Sequence, residues 1–291
     1  MIKYLKKLSV AAFTALLYCG IFVMIFNGIS AVPVLSNQTA EAVEVPIIMY
    51  HSILKDTSRS GKYIVTPSTV TNDIKYLKAN GYTFVSVEEL INYTMSQGEL
   101  PEKPVMLTFD DGCYNNYGYI KPILEKYDAK AVFSIVGSYT DEYSKSNIAN
   151  MTYGYMRWTD IYDLFLSSRI EVGNHSYDFH SNDKGRNGAT KKSGEDSESY
   201  KNIFRADTEK MQNRCMEKTG FTPYIYTYPF GSACPESEEV LKEMGFKSSL
   251  SCNEGVNLIT RDPECLFMLK RYNRPSDINT GDFFAKIKTP V

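Results

Sequence analysis

The chain has 291 residues, 43% of them hydrophobic, which is enough apolar material for one substantial core or two small ones. This composition argues against a fibrous or disordered protein. Lys and Arg number 32 against 34 for Asp and Glu, so the overall charge gives no support for a nucleic-acid partner, which usually needs a basic face.

The first 31 residues differ in character from the rest. Lys3, Lys6 and Lys7 precede an uncharged apolar run over residues 8–26, an order typical of an export signal with a cytoplasmic N-terminus. A signal-peptide core has ~7–15 residues and a spanning helix ~20, so cleavage and anchoring both stay open. We expect residues 1–31 to be a signal peptide or membrane anchor, 32–44 a tether, and 45–291 one extracytoplasmic domain, secreted or held at the membrane.

Short apolar runs without helical period alternate with segments that carry helix-start and turn residues. Strands are predicted over residues 45–51, 82–87, 104–110, 129–136, 170–174, 224–230, 246–250 and 266–270. Helices are predicted over residues 67–79, 88–93, 116–127, 160–166, 200–218 and 235–244. This alternation predicts a parallel α/β architecture. The polar stretch 181–199 is a long exposed loop, either a disordered insertion or a lid or groove wall.

Acidic and histidine residues stand at the predicted carboxyl ends of several strands, where parallel α/β barrels have their active sites. They are His51, Asp110, Asp111 and His175. Taken alone, an Asp-Asp-Gly sequence is more often a turn, since Asp and Gly dominate turns. Here an apolar strand delivers two adjacent carboxylates to one edge, so one can bind a metal while the other transfers a proton.

His175 and His180 lie five residues apart, and a helix would leave them ~140° apart around its axis, so only a loop can bring both to one ion. Two imidazoles and a carboxylate form an open site of the kind used for hydrolysis by Zn²⁺ or a similar divalent ion. The alternative is two unrelated surface histidines. The sequence argues against this alternative, because the 3 histidines of the chain all fall at predicted strand ends or in the loop beside one.

Three sequence motifs resemble those of the polysaccharide deacetylases of the NodB-homology type, carbohydrate esterase family four. Residues 108–112, Thr-Phe-Asp-Asp-Gly, are similar to the first motif, and residues 175–180, His-Ser-Tyr-Asp-Phe-His, to the second. Residues 228–231, Tyr-Pro-Phe-Gly, are similar to the third. The resemblance spans roughly residues 45–275 and implies a distorted, incomplete (β/α) barrel.

The resemblance also implies a role for each motif residue. Asp110 would be the catalytic base, and a divalent metal would be bound by a carboxylate and two imidazoles, namely Asp111, His175 and His180. The substrate and oxyanion part of the site would be formed by Tyr228, Pro229 and Phe230, with the oxyanion accepting from the backbone N–H of Phe230. Zinc is the expected ion, with cobalt, nickel or iron as alternatives.

The sequence departs from the family pattern in two places. The Arg usual before the Pro of the third motif is absent, and Arg271 and Arg274 are candidates to replace it. The late Leu-x-His of the family is also absent, because no histidine follows His180. Some members that act on poly-N-acetylglucosamine are circularly permuted and supply this acid from an early Met-Tyr-His, which residues 49–51 resemble. His51 is therefore the general-acid candidate, and a buried structural histidine is the alternative.

The resemblance implies a hydrolase that removes N-acetyl groups from an extracellular or cell-wall aminosugar polymer of the poly-N-acetylglucosamine or peptidoglycan type. The expected partner is an acetylated polysaccharide, without nucleic acid, and with the membrane only through an uncleaved N-terminal segment. An O-acetyl xylan esterase is the nearest alternative. A non-catalytic glycan-binding member of the same fold is the alternative from another class.

Overall fold

The computed structural model describes residues 42–182 and 185–287. The predicted signal or anchor, residues 1–31, and residues 32–41 of the predicted tether lie outside this part of the chain. None of the helices within it has the length and apolar character needed to cross a bilayer.

Strands and helices alternate through most of the described residues. The strands are β1 (Val43–Val45), β2 (Ile47–Tyr50), β3 (Ser52–Ile53), β4 (Ile64–Val65), β5 (Thr83–Phe84), β6 (Pro104–Phe109), β7 (Ala131–Ile135), β8 (Ile170–Asn174), β9 (Ile225–Thr227), β10 (Ser248–Leu250), β11 (Asn257–Ile259) and β12 (Tyr272–Asn273). The α-helices are α1 (Pro67–Ala79), α2 (Val87–Thr94), α3 (Lys121–Tyr127), α4 (Gly137–Ser146), α5 (Trp158–Phe165), α6 (Ser197–Thr219), α7 (Pro235–Glu243) and α8 (Thr280–Ile287). A π-helical turn, Asn116–Ile120, leads into α3.

The main sheet is parallel and has the order β10-β9-β8-β7-β6-β2-β12, with β5 beside the start of β6. Every residue of β2, β6 and β7 is buried, as expected where a parallel sheet is covered on both faces. Leu269, three residues before edge strand β12, pairs with β10 at the other edge of the sheet: its N–H donates to Ser249 O at 2.8 Å and its carbonyl accepts from Ser251 N at 2.9 Å. The sheet therefore curls into a distorted, incomplete (β/α) barrel, which confirms the predicted fold class.

Alternate residues along the central strands pack into two different cores. Ile47, Met106 and Val132 belong to one apolar cluster, and their neighbours Ile48 and Leu107 belong to another. Because successive side chains of a strand point to opposite faces, each strand contributes to both cores. The strands are therefore packed on both faces. This packing holds in place the residues that directly follow the carboxyl ends of the strands.

Local signals predicted several elements closely. Helix α1 spans the predicted residues 67–79, and the Thr66 hydroxyl accepts the N–H of Thr69 as an N-cap. Strand β8 has the predicted bounds 170–174. Helix α6 begins three residues before the predicted start, because Asp196 caps it by accepting the N–H of Ser199.

The predicted strand over residues 266–270 is wrong. Residues Pro263–Leu266 form a 3₁₀ turn, and Met268 has a left-handed φ of 59°, which interrupts an extended chain. Pairing is limited to a single bridge at Leu269, and the strand proper begins at Tyr272. Helices α4 and α8 and strands β1, β3, β4 and β11 were not predicted; α4 has polar and tyrosine residues without a clear apolar stripe.

Candidate active site

The carboxyl ends of β2, β6 and β8 converge on one cleft with a volume of about 400 Å³. Six of the residues singled out in the sequence line it: His51, Asp110, Asp111, His175, His180 and Phe230. Residues separated by more than 120 positions are thus neighbours, because each follows a strand of the same parallel sheet.

Asp111, His175 and His180 form a cluster that can hold a metal ion. Asp111 Oδ1 lies 3.1 Å from His180 Nε2 and 3.5 Å from His175 Nε2, and the three ligand atoms all fall within 4.8 Å of one another. Burial raises the pKa of Asp111, but hydrogen bonds from both histidines outweigh it and hold that pKa well below its usual range. An ionised carboxylate with two imidazoles is a donor set that suits zinc and related divalent ions.

The tautomer of His175 follows from its second ring nitrogen. His175 Nδ1 is 2.7 Å from the carbonyl oxygen of Thr227, which can only accept, so Nδ1 carries a hydrogen and, in the neutral imidazole, Nε2 would offer its lone pair to a metal. This outer contact orients a ligating imidazole in the manner of metal sites generally. The cluster therefore fits a metal in its chemistry as well as in its spacing.

The loop between the two histidines has no regular secondary structure, so its backbone groups need partners elsewhere. Asp207, on α6, accepts the N–H of Tyr177 through Oδ2 and that of Asp178 through Oδ1, both at 2.8 Å. Burial raises the pKa of Asp207 to about 6, although both N–H donors oppose this shift. Nothing in the sequence marked Asp207, which lies 27 positions beyond His180.

The first residues of α4 bind the same loop from the other side. Gly137 N–H donates to the Ser176 carbonyl at 3.1 Å, and Ser138 N–H donates to the Tyr177 carbonyl at 2.8 Å. A Cβ at position 137 would come within 2.6 Å of the Tyr177 ring and 2.7 Å of Met211 Sδ. Glycine is therefore required here for the close approach, and the unpredicted α4 takes part in shaping the site.

Asp110 is held by Arg271. Arg271 Nη1 donates to Asp110 Oδ1 at 2.7 Å and Nη2 donates to Oδ2 at 2.8 Å, and both side chains are buried. Burial raises the pKa of Asp110, but the charge of Arg271, aided by its hydrogen bonds and by His175, lowers it overall. Of the two arginines named as candidates to replace the missing Arg of the third motif, Arg274 instead pairs with Asp73, Nε to Oδ2 at 2.8 Å.

His51 lies in the cleft with its Nδ1 buried and without a hydrogen-bond partner among the described residues. Its ring meets the Tyr63 ring edge-on, with centroids 4.8 Å apart. Burial lowers the pKa of His51, and the charges of Asp110 and Asp111 oppose that shift. The structural alternative for His51 was a histidine satisfied by backbone partners, and the unpartnered Nδ1 argues against it.

The third motif contributes one side chain to the cleft. Phe230 is 43% exposed and its ring centroid lies 4.6 Å from that of His180. Tyr228 is fully buried with Tyr226 in a separate core, and Pro229 is buried as well. The side chains of Tyr228 and Pro229 thus lie away from the substrate space that the sequence assigned to them, and they fix the turn that carries Phe230.

The described part of the polar loop packs against this turn. Asn187 Nδ2 donates to Ser232 Oγ at 2.9 Å, and a Cβ on Gly188 would come within 2.5 Å of the Pro229 carbonyl oxygen. Of the two interpretations offered for residues 181–199, the described residues favour the groove wall, because they contact the turn that carries Phe230.

Several residues of the cleft had no signal in the sequence. They are Lys62, Tyr63, Cys252, Glu254 and Asn273. Most belong to irregular segments, where neither periodicity nor a motif marks a residue. Only their position beside the strand ends shows that they share the site.

A family model described as polysaccharide deacetylase matches residues 97–249. The chain belongs to this family. The match covers the segments that hold Asp110, Asp111, His175, His180 and Phe230.

Relatives within the deacetylase family include poly-β-1,6-N-acetyl-D-glucosamine N-deacetylases. That of Escherichia coli K12 is 25% identical over 228 residues, 72% of this chain and 34% of the relative. That of Staphylococcus epidermidis is 21% identical over 242 residues, 83% of this chain and 77% of the relative. The chain therefore spans about a third of the length of the E. coli relative, and most of the staphylococcal one.

Solved structures of deacetylases share the fold. The Streptococcus pyogenes deacetylase PplD in complex with acetate superposes with a TM-score of 0.68 at 20% identity, over 85% of this chain and 100% of that one. IcaB from Ammonifex degensii superposes with a TM-score of 0.65 at 23% identity, over 81% of this chain and 94% of that one. Both support the curled parallel sheet as the family fold.

Proposed function

We propose that this chain is a metal-dependent hydrolase that removes N-acetyl groups from an aminosugar polymer of the poly-N-acetylglucosamine type. The observation that carries the proposal is the convergence of the Asp111, His175 and His180 cluster with Asp110 and His51 in one cleft. The names of the E. coli and S. epidermidis relatives support this polymer over peptidoglycan.

A divalent ion, zinc by its donor set, would be held by Asp111, His175 and His180. When bound, such an ion supplies Lewis acidity toward a carbonyl oxygen and lowers the pKa of water. The Thr227 carbonyl, through His175 Nδ1, and Asp207, through the loop backbone, orient the side chains that would hold it.

Asp110 acts as the general base in this proposal. Its lowered pKa keeps it ionised near neutral pH, and Arg271 fixes both carboxylate oxygens in position. It takes a proton from the water that attacks the acetamide carbon. The backbone N–H of Phe230, the residue whose ring lies beside His180, donates to the oxygen that becomes negatively charged.

His51 acts as the general acid. The departing amine takes a proton from the imidazole as the carbon–nitrogen bond breaks, so that water and the amide give acetate and a free amine. Burial lowers the pKa of His51, and its protonated form is therefore a stronger acid than an exposed imidazolium. The buried, unpartnered Nδ1 supports this role, because it leaves the imidazole free of a structural hydrogen bond at that atom.

The test is acetate release from β-1,6-linked N-acetylglucosamine oligomers, chitin oligomers, peptidoglycan fragments and acetyl-xylan. Release from the β-1,6-linked oligomers, lost on chelation and restored by Zn²⁺ or Co²⁺, is the expected result, with Asp110→Asn as the inactive control. Release from acetyl-xylan alone would make the protein an O-acetyl esterase. Binding of oligomers with no release from any polymer would instead make it a glycan-binding member of the fold.

We further propose that residues 45–291 act outside the cytoplasm, either secreted or anchored through residues 1–31. The support is the sequence of the first 31 residues, basic and then apolar. Protease digestion of intact cells tests the location, and N-terminal sequencing of the mature protein separates cleavage from anchoring. Protection of the domain in intact cells would refute an extracytoplasmic location.

A further inference from the structure

The turn that carries Phe230 has a strained backbone. Phe230 has a φ of 58° and a ψ of 11°, in the left-handed region that favours glycine, and Gly231 after it has a φ of 68°. A bulky residue is seldom found there, because its Cβ crowds the neighbouring backbone. Such a conformation persists only where the surrounding structure enforces it. The contacts around this turn therefore determine the direction of the Phe230 N–H.

Two segments of the chain press closely on this turn. A Cβ on Gly188 would lie 2.5 Å from the Pro229 carbonyl oxygen and 3.2 Å from Cδ2 of Phe230. A Cβ on Gly231 would lie 2.6 Å from Cβ of Cys252 and 2.7 Å from its backbone nitrogen. Each of these glycines is thus required for a close approach between the turn and another segment.

Gly188 contacts the peptide group that contains the Phe230 N–H. The carbonyl of Pro229 and the N–H of Phe230 belong to one planar unit, so neither can turn without the other. The Pro229 oxygen accepts the N–H of Ser232 at 3.0 Å and lies against Gly188. A side chain at position 188 would displace this oxygen, and the N–H would turn with it.

The segment that carries Gly188, residues 186–195, is also attached beside the metal cluster. The Arg186 guanidinium lies 5.3 Å from the ring centroid of Phe179, the residue before His180. Its Nη2 donates to Glu195 Oε1 at 2.5 Å, which closes the segment on itself. The segment therefore contacts both the loop that holds a metal-binding imidazole and the turn that holds the Phe230 N–H.

We infer that Gly188 is a positioning residue, which sets the direction of the Phe230 N–H through the Pro229 carbonyl. This inference rests on the proposed function, in which that N–H donates to the oxygen that becomes negatively charged. A donor of this kind is effective when its direction is fixed before the charge develops. The 186–195 segment supplies that fixation and keeps the donor in place relative to the metal cluster.

The experiment compares Gly188→Ala with Gly194→Ala in the same segment. Gly194 has a left-handed φ of 74°, and a Cβ there would meet no atom within 4 Å. The control variant therefore has the same kind of backbone strain without the contact. A milder variant, Asn187→Ala, removes the hydrogen bond of 2.9 Å from Asn187 Nδ2 to Ser232 Oγ, just after the turn. The measurements are kcat and KM for acetate release from β-1,6-linked N-acetylglucosamine oligomers, Zn²⁺ affinity and the free energy of unfolding.

In Gly188→Ala we expect kcat to fall about 10²-fold, the effect of a donor misplaced by ~1 Å. Affinity for a methylphosphonamidate analogue of the tetrahedral intermediate should fall by the same factor as kcat/KM, because that analogue resembles the transition state. Zn²⁺ affinity should stay at the wild-type value. Gly194→Ala should lose a similar free energy of unfolding and keep the wild-type kcat.

Three results would overturn the inference. The first is an equal kcat in Gly188→Ala and Gly194→Ala. The second is a loss of Zn²⁺ affinity as large as the loss of kcat, because the effect would then lie at the metal cluster. The third is a wild-type kcat in Asn187→Ala, which serves as the test where Gly188→Ala does not fold; a smaller fall in kcat than in Gly188→Ala is expected there.

Crystal structures of the variants separate this inference from the proposed function. The Pro229 carbonyl should be displaced in Gly188→Ala and stay in place in Gly194→Ala. Displacement in Gly188→Ala alone, with no acetate release by the wild type, would refute the deacetylase activity and retain the positioning of the peptide group. Acetate release by the wild type, with the turn unmoved in Gly188→Ala, would retain the activity and refute the inference.

Discussion

The pair formed by Asp110 and Arg271 includes the proposed catalytic base in a buried ion pair. Both are buried, and each satisfies the charge of the other through two parallel hydrogen bonds. Removing one member of such a pair leaves a buried charge without compensation, which costs ~3–5 kcal/mol. Arg271 therefore affects folding and protonation at once, and the two effects need separate measurements.

Replacing Arg271 with Gln should move the acidic limb of the kcat/KM profile to higher pH. The guanidinium lowers the pKa of Asp110 and burial raises it, so without the guanidinium the carboxylate takes up a proton at higher pH. Activity at mildly acidic pH then falls more than activity at neutral pH. Arg271→Lys keeps the charge but loses the bidentate hydrogen bonding, so a smaller shift of the acidic limb is expected. The measurement is kcat/KM against pH at saturating metal.

Arg274→Gln is the control for this prediction. Arg274 is buried and pairs with a buried carboxylate, Asp73, so its loss should destabilise the fold to a similar degree. It does not contact Asp110, and the pH profile should stay in place. A profile unchanged in Arg271→Gln would show that Arg271 does not control Asp110.

Replacing His51 with Gln should lower kcat by ~10²–10⁴-fold, the usual contribution of a general acid or base. Metal affinity should be unchanged, because the metal cluster comprises Asp111, His175 and His180 without His51. The measurements are kcat, metal affinity and the free energy of unfolding of the same variant. A loss of unfolding free energy with kcat retained would assign His51 a structural role instead.

The sequence predicted the site residues that lie in contiguous motifs and failed on those that do not. Asp110 and Asp111 could be found because they are adjacent and end an apolar strand. Arg271 was named only as one of two candidates to replace the missing Arg of the third motif, since it is 161 positions from Asp110 and only the folded chain brings it near. Asp207 had no signal at all, because a carboxylate that accepts backbone N–H groups can stand at any nearby helical position.

Among the elements, α6 acts on the metal cluster through the loop that carries His180. Asp207→Asn should weaken Zn²⁺ binding by ~10–100-fold, the effect found when outer residues of a metal site are lost. The amide has one acceptor oxygen where the carboxylate has two, so the N–H of Tyr177 or of Asp178 loses its partner. Competition with a chromophoric chelator measures the affinity.

The matched control is Asp196→Ala at the N-cap of the same helix. Asp196 accepts the N–H of Ser199 and lies 11 residues before Asp207, so its loss should lower the free energy of unfolding with Zn²⁺ affinity unchanged. Equal losses of Zn²⁺ affinity in the two variants would mean that Asp207 acts only through helix stability.

Elements with local start and stop signals were predicted well, and elements set by tertiary contacts were not. Helix α1 had a cap, a proline in its first turn and a closing Asn-Gly, and its bounds are as predicted. The prediction of a strand over residues 266–270 was wrong because the backbone of Met268 has a left-handed φ, which none of the residue types there predicts. Helix α4 packs its first residues against the His175–His180 loop, so its position depends on a partner distant in sequence.

At the scale of the whole domain, the sheet brings the two ends of the described chain together at the site. Strand β2, near the start, lies between β6 and β12, near the end, and β2 is followed by His51 while β12 is preceded by Arg271. The candidate general acid and the arginine that pairs with the candidate base thus flank two paired strands. The proposed proton-transfer part of the site depends on both ends of the sheet.

The metal cluster also spans separate elements, since Asp111 follows β6 while His175 and His180 follow β8. An ion bound there in the native state alone should stabilise the whole domain by linkage, by about 2.7 kcal/mol at a free concentration 100-fold above its Kd. For a domain of this size we expect Tm to rise by roughly 5–10 °C on Zn²⁺ addition and to return on chelation. His180→Ala should abolish the rise, while His51→Gln should keep it. A rise that persists in His180→Ala would place the bound ion elsewhere on the protein.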